Sequence, residues 1–179
     1  MLKIEQTKLP NLVGKRILLR PLTPEDVTCT YVGWLNDIHV NSYLESRFIK
    51  HTKKTVKQFV ELQLESCSVI FYGIWSKEGV HIGNIKIGPI DKYHLTADIG
   101  FLIGDREYWG KGIASEAIQM MCNLAFSFGI KKITAGSYEN NLGSIKALEK
   151  CGFIKEGYRK EQVIKDGARV GMYLFGLVC

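Results

Sequence analysis

Two glycines one residue apart, Gly110 and Gly112, lie within Trp109-Gly110-Lys111-Gly112-Ile113-Ala114-Ser115, between an apolar run and a long amphipathic one. The chemistry such a junction offers belongs to the main chain. The first turn of a helix has N–H groups without intrahelical partners and a positive dipole end, and glycine lets the backbone approach a ligand with no Cβ in the way. Pyrophosphate suits that place, although any tight turn also uses Gly-x-Gly. The spacing is not Gly-x-Gly-x-x-Gly and no Gly-x-x-x-x-Gly-Lys-Ser/Thr occurs, which argues against a dinucleotide fold and against a nucleotide-triphosphate loop. A second signal is Asn141-x-x-Ser144, which begins a helix ending at Lys150-Cys151-Gly152-Phe153, with Gly152 where a left-handed residue is wanted.

A strand before the loop and a helix after it must hold these groups in place. Residues 95–103 read as the strand, and Ile113, Ala117, Met121, Leu124, Ala125 and Phe128 recur at three and four, which gives the following helix one apolar face. Residues 16–20 read as a first strand. Thr23, Pro24 and Asp26 then start a helix as cap, first-turn proline and capping acid, with Val27, Tyr31 and Trp34 along one face. A second helix is expected from Thr52, with Val56, Phe59 and Val60 at helical spacing. Residues 69–75 and 81–88 read as strands, the latter joined to 95–103 around Pro89-Ile90-Asp91-Lys92. Residues 132–137 form a fifth strand, and 154–164 with 169–178 a hairpin about Asp166-Gly167. This order is that of a single α/β domain over residues 1–179, a mixed, mostly antiparallel sheet flanked by helices, with no repeat or linker.

Composition sets the bounds. The 179 residues suffice for one well-buried domain, and 46% hydrophobic with 23% charged residues is ordinary globular usage. Residues 1–6 hold no continuous apolar run, so neither a signal peptide nor a membrane span is expected, and cytoplasmic residence follows. Five cysteines, odd in number and scattered, argue against a disulfide framework and a metal site; Cys122 and Cys151 read as small core residues. The net charge of +6 is spread without a dense cluster, which favours a small anionic cofactor over nucleic acid.

Trp-Gly-Lys-Gly-Ile-Ala-Ser-Glu-Ala, followed by Asn-x-x-Ser-Ile-x-x-Leu-Glu-Lys-x-Gly-Phe, resembles the GNAT superfamily of N-acetyltransferases, in the branch that includes the ribosomal-protein-alanine acetyltransferases. The resemblance spans about residues 16–178, and Glu107 stands where the wider superfamily has Gln or Arg. It implies the GNAT fold, acetyl-CoA as donor, and a gap between two splayed strands in which pantetheine pairs with the main chain of Phe101, Leu102 and Ile103. It places the pyrophosphate on the amides from Trp109, Gly110, Lys111, Gly112, Ile113 and Ala114 to Ser115. Asn141 is a helix cap by pattern; the resemblance adds a hydrogen bond to pantetheine, with Ser144 on the same face. Lys111 or Lys146 either pairs with a cofactor phosphate or is a solvated surface lysine.

Acyl transfer to an amine needs a base for the ammonium and a proton for the departing thiolate. Asp98, a lone carboxylate in an apolar strand, is the candidate base; partial burial would raise its pKa, and the competing reading is a structural pair with Lys86. A hairpin centred near Asp91 would put Asn84 opposite Asp98 and Lys86 diagonal to it, adding Asn84 and Lys86 to the acceptor side, with His81 on the other face. Where many GNAT enzymes place a tyrosine as acid this chain has Leu148, so Tyr138 or water substitutes.

The resemblance assigns acceptor recognition to the segment between the first two helices and to the last hairpin. That segment carries Trp34 and Leu35 as core anchors, then Tyr43, Glu45 and Arg47, able to stack on a ring and to bind hydroxyls and phosphates, or, for Glu45 and Arg47, to form an exposed ion pair. The string is similar to one in GNAT proteins of bacterial surface-sugar biosynthesis. The expected acceptor is an amino-sugar, free or nucleotide-linked, attacked in a ternary complex; a protein N-terminus is the alternative, and a non-catalytic acyl-CoA-binding module the rival from another class. A small-molecule amine partner, no nucleic acid, no membrane, no metal, and a monomer or homodimer complete the expectation.

Overall fold

Ile70, Tyr72 and Ile74, and on a neighbouring strand Ile85 and Ile87, are all fully buried and recur every second residue, the period that puts side chains on one face of a sheet. The computed structural model describes residues 9–179; the expectation drawn from residues 1–6 lies outside them. The strands are β1 (Leu12–Val13), β2 (Ile17–Pro21), β3 (Ile70–Ser76), β4 (His81–Asp91), β5 (Thr96–Ile103), β6 (Lys132–Tyr138), β7 (Ile154–Lys165) and β8 (Ala168–Val178), and the helices are α1 (Cys29–Asn36), α2 (Ile38–Asn41), α3 (Lys53–Glu65), α4 (Ile113–Ser127) and α5 (Leu142–Lys150). One eight-stranded sheet runs in the order β1-β2-β3-β4-β5-β6-β8-β7. Every neighbouring pair is antiparallel except β5 and β6. The parallel pair needs a crossover, which α4 supplies. Apolar faces of α4 and α5 cover one side of the sheet, and Tyr31, Trp34, Val56 and Val60 of α1 and α3 cover part of the other. Among the described residues no helix is long and apolar enough to cross a membrane.

The element order matches the sequence pattern, with local differences. The helix expected from Pro24 is a single 3-10 turn, Pro24–Asp26. Asp26 is held there by Arg20 at 2.6 Å and by the Thr23 N–H at 2.8 Å, and the chain breaks at Val27 before Thr28 caps α1. The short strand β1 was not anticipated. The expected hairpin register is also corrected. Asn84 faces Leu102 and Lys86 faces Gly100, because β4 continues through Pro89 and the turn begins only at Asp91, whose carboxylate accepts from the Tyr93 and His94 N–H groups. One extra residue on β4 bulges between Ile87 and Ile90, so Asp98 has no partner in that register. A second bulge, opposite Ile74 and Trp75, brings His81 onto the same face as Asn84, against the two-residue period.

Ladder pairing of β5 with β6 stops after Thr96↔Lys132, Ala97↔Ile133 and Asp98↔Thr134. Beyond Asp98 the parallel strands part. The loop after β5 and the start of α5 after β6 therefore stand at the same open end of the gap.

Candidate active site

At that open end Asp105 caps a 3-10 turn, Arg106–Tyr108, by accepting from the Glu107 N–H, and the Trp109 N–H closes the turn on Arg106 O at 3.1 Å. Trp109 was expected to offer its amide to a ligand, but that amide is already used. Gly110 and Gly112 follow at φ 72° and 74°, and Gly112 caps α4 with no side-chain help. Among the described residues, none of the N–H groups of residues 110–115 donates to a protein acceptor; the first helical bond of α4 is Glu116 N to Gly112 O. The carbonyls on the opposite side are taken: Arg16 donates to Lys111 O at 2.7 Å and to Gly112 O at 3.2 Å, and pairs with Glu116 at 2.7 Å. A row of unpaired amides at a helix N-terminus fits the pyrophosphate of coenzyme A. Sequence reasoning missed Arg16 and Glu116, because the pair closes over a hundred residues and Glu116 alone reads only as an acid in the first turn of a helix.

Deeper in the gap, Phe101 and Ile103 are half-buried and pack on the core that α4 covers, while Leu102 packs on the opposite face. The Ile103 carbonyl accepts from the Trp109 indole at 2.8 Å, so this one backbone group of the expected pantetheine edge is engaged. On the β6 side, Asn141 caps α5 by accepting from the Ser144 N–H at 3.2 Å, which leaves its amide donors without a protein partner among the described residues. Cap and ligand-binding roles are thus compatible in one side chain. Ser144 is half-buried on the first turn of α5, Lys146 is exposed, and the Lys111 ammonium lies 5.7 Å from the Tyr108 ring centre.

The face of the sheet shared with α1 and α3 carries the acid and base candidates. Asp98 is exposed, not partly buried, and its carboxylate accepts from the Thr134 hydroxyl. It makes no ion pair with Lys86, whose ammonium sits 6.0 Å from the Phe59 ring centre. Asn84, expected on the acceptor side, is instead buried and accepts at 3.0 Å from Nε2 of His81, whose ring Tyr31 and Trp34 of α1 pack against. Tyr138 ends β6, nearly buried; its hydroxyl donates to Glu45 Oε1 at 2.5 Å and accepts from Arg47 Nη1 at 3.0 Å. Burial first, and the Glu45 hydrogen bond second, hold the Tyr138 phenol above its usual pKa. Tyr43 stands edge-on to Tyr138 with ring centres 5.8 Å apart and donates to Asn140 O at 3.1 Å. The structure therefore gathers Tyr43, Glu45 and Arg47 around Tyr138. Arg47 is not free to fork onto a phosphate: Nη1 also reaches Leu44 O, and Nη2 reaches Ile164 O on the last hairpin, both at 2.8 Å. Leu148 is fully buried in the core.

A family model described as the acetyltransferase (GNAT) domain matches residues 16–154. The chain belongs to the GNAT acetyltransferase family. It is accordingly an acetyl-CoA-dependent N-acyltransferase. An uncharacterised N-acetyltransferase of Bacillus licheniformis is 31% identical over 176 residues, covering 95% of this chain and 97% of the relative. A probable N-acetyltransferase of Bacillus subtilis is 30% identical over 168 residues, covering 87% and 90%. Among solved structures, a spermidine N-acetyltransferase from Vibrio cholerae in complex with CoA and spermine gives a TM-score of 0.82 at 19% identity, covering 91% of this chain and 95% of that one. The ribosomal-protein-S5-alanine acetyltransferase from Vibrio fischeri gives 0.78 at 21% identity, covering 95% and 97%. These structures share the GNAT fold, and the mixed α/β class expected from the sequence is the class found.

Proposed function

We propose that this GNAT enzyme acetylates the amine of an amino-sugar by direct attack in a ternary complex, with coenzyme A on the glycine-loop amides and Asp98 taking the proton of the amine. The observation that carries the reading is the parting of β5 from β6 immediately beyond the Asp98–Thr134 hydrogen bond. Unpaired amides stand at the open end of the gap, and an exposed carboxylate stands at its closed end on the face away from α4.

Bound acetyl-CoA supplies a thioester whose C–S bond is exchanged for the C–N bond of the amide. The rest falls to the chain. An alkylammonium is no nucleophile until it loses a proton, and Asp98, fixed by Thr134, receives that proton directly or through water. Tyr138, protonated through the neutral range, supplies the proton the thiolate needs by turning its O–H from Glu45 to the sulfur, while Arg47 continues to donate to its oxygen and stabilises the phenolate left behind.

An amino-sugar is favoured because Asp98, Thr134, Glu45 and Tyr138 offer oxygens to a polyhydroxylated ring and Tyr43 adds an aromatic wall. The likeness of residues 34–47 to the surface-sugar proteins points the same way. With Arg47 engaged on three oxygens, a free amino-sugar is supported more than a nucleotide-linked one. The test is thiol release from acetyl-CoA with amino-sugars (free and nucleotide-linked), polyamines and N-terminal peptides. Highest kcat/KM on an amino-sugar is expected. Dominant turnover of a peptide or polyamine overturns the acceptor, and coenzyme A binding without turnover of any amine overturns catalysis in favour of an acyl-CoA-binding module.

A further inference from the structure

On the face that carries Asp98 and Thr134, the next residues outward are Gly100 on β5 and Gly136 on β6, and both are exposed although their strands lie inside an eight-stranded sheet. Glycine weakens a strand and normally signals a bulge, a special dihedral or a close approach of other atoms. Packing accounts for other glycines of this sheet: an added Cβ would fall 2.3 Å from the backbone oxygen of Leu102 at Gly83 and 2.7 Å from the backbone oxygen of Ser68 at Gly88. None of these reasons holds at Gly100. Its φ is not positive, its register with Lys86 is regular, and a Cβ would meet nothing within 4 Å. At Gly136 a Cβ would meet only the flexible Met172 Sδ, at 3.3 Å. What the two glycines leave is space on the two parting strands, one same-face step beyond Asp98 and its partner Thr134.

We propose that Gly100 and Gly136 are specificity-determining residues that widen the acceptor seat beside Asp98, so that it takes an amine borne on a branched ring carbon in preference to an amine at the end of a slim chain. The inference rests on the reading of Asp98 as the group that meets the amine. The seat has Asp98 and Thr134 at its back, Tyr138 and Glu45 at its front, and Lys86 across from Gly100. A terminal CH2–NH2 group would reach Asp98 and leave the volume over both glycines unfilled. A ring carbon carries two substituents beside its amine, and these occupy the two places where side chains are missing. Neither position needs glycine for its backbone, so Ala at either leaves the strand able to form.

The experiment compares cyclohexylamine with n-hexylamine, primary amines of equal carbon number, and includes D-glucosamine, under saturating acetyl-CoA. The wild type is expected to favour cyclohexylamine in kcat/KM. Gly100→Ala and Gly136→Ala should each lower kcat/KM for cyclohexylamine by about tenfold or more while leaving n-hexylamine within about twofold, the scale of one added methyl group in a fitted pocket. Urea midpoints confirm that the variants fold. Equal loss on both amines, no loss on either, no wild-type preference for the ring, or no turnover of either amine overturns the proposal. A wild type that discriminates ring from chain in this way yet ignores D-glucosamine overturns the sugar reading and leaves the glycine seat standing.

Discussion

Arg16 Nη1 donates to the carbonyl oxygen of Lys111 across 2.7 Å, and that bond decides which way the peptide groups of the glycine loop face. With the Lys111 and Gly112 carbonyls turned toward the Arg16 guanidinium, the amides of residues 110–115 are left for an anion. Arg16→Ala should therefore weaken coenzyme A binding without touching a ligand contact. Arg16 is half exposed and its charge is screened by solvent, so the expected rise in Kd is about tenfold, or about 1.4 kcal/mol. Calorimetric titration of the folded variant checks it, and an unchanged Kd would mean that the loop holds its orientation alone.

The two loop glycines should separate in the same assay. Alanine at either meets a positive φ and costs about 1–2 kcal/mol in backbone strain. At Gly110 the new Cβ meets nothing within 4 Å, whereas at Gly112 it stands 2.9 Å from Arg16 Nη1. Urea unfolding should show similar losses of stability, and coenzyme A affinity should fall further for Gly112→Ala because Arg16 must move. Equal affinities would remove Arg16 from the account.

Replacing Asp98 by Asn keeps the shape and the Thr134 contact but removes the acceptor of the proton. Loss of a general base costs on the order of 10²–10⁴ in rate, and the fall should appear in kcat with coenzyme A affinity retained. Full turnover of Asp98→Asn, measured by thiol release, would reduce Asp98 to a strand-pairing residue.

Where the sequence was informative, local rules were strong enough to act alone. Gly110 and Gly112 could be read because helix termini and positive φ are local properties, and the same holds for the helix start at Thr52, the Asn141 cap and the Asp166-Gly167 turn. The register of β4 on β5 failed because the turn lies beyond Asp91, so that Asn84 faces Leu102 and not Asp98; the bulge at Gly88-Pro89 moves the pairing by only one residue. His81 changed faces because a separate bulge, opposite Ile74 and Trp75, interrupts the two-residue period of β4. Arg16, and the engagement of Arg47 by Tyr138 and Ile164, depend on contacts between distant segments, which spacing along the chain does not encode.

Tyr138 offers a pH test of the acid role. Burial and the Glu45 hydrogen bond raise its pKa while Arg47 opposes them. If Tyr138 protonates the thiolate, activity falls at alkaline pH as the phenol ionises. Glu45→Gln removes one raising influence and should move that alkaline limb to lower pH, and Tyr138→Phe should abolish it. A limb that stays in place in both variants assigns the acid to water.

His81 links the fold to pH through a separate route. Nε2 faces two acceptors, Gly83 O at 2.9 Å and Asn84 Oδ1 at 3.0 Å, so it carries the hydrogen, and buried Nδ1 has no partner among the described residues. The ring is stacked on Trp75 with centres 4.6 Å apart, and burial, the largest influence, lowers its pKa below the usual 6.5. In the unfolded chain the imidazole takes up a proton near pH 6.5 that the folded chain refuses. Stability is therefore full above about that pH and falls below it, by at most about 1.4 kcal/mol per pH unit for one proton. Asp26 and Glu116 also have lowered pKa values, but from starting points of 3.8 and 4.5, so their contributions are lost at lower pH. Urea midpoints measured from pH 7.5 to 5.5 should drop in the wild type, and His81→Gln, which keeps a donor for Gly83 and Asn84 but cannot titrate, should flatten that drop. Parallel curves for the two proteins would place the proton uptake elsewhere.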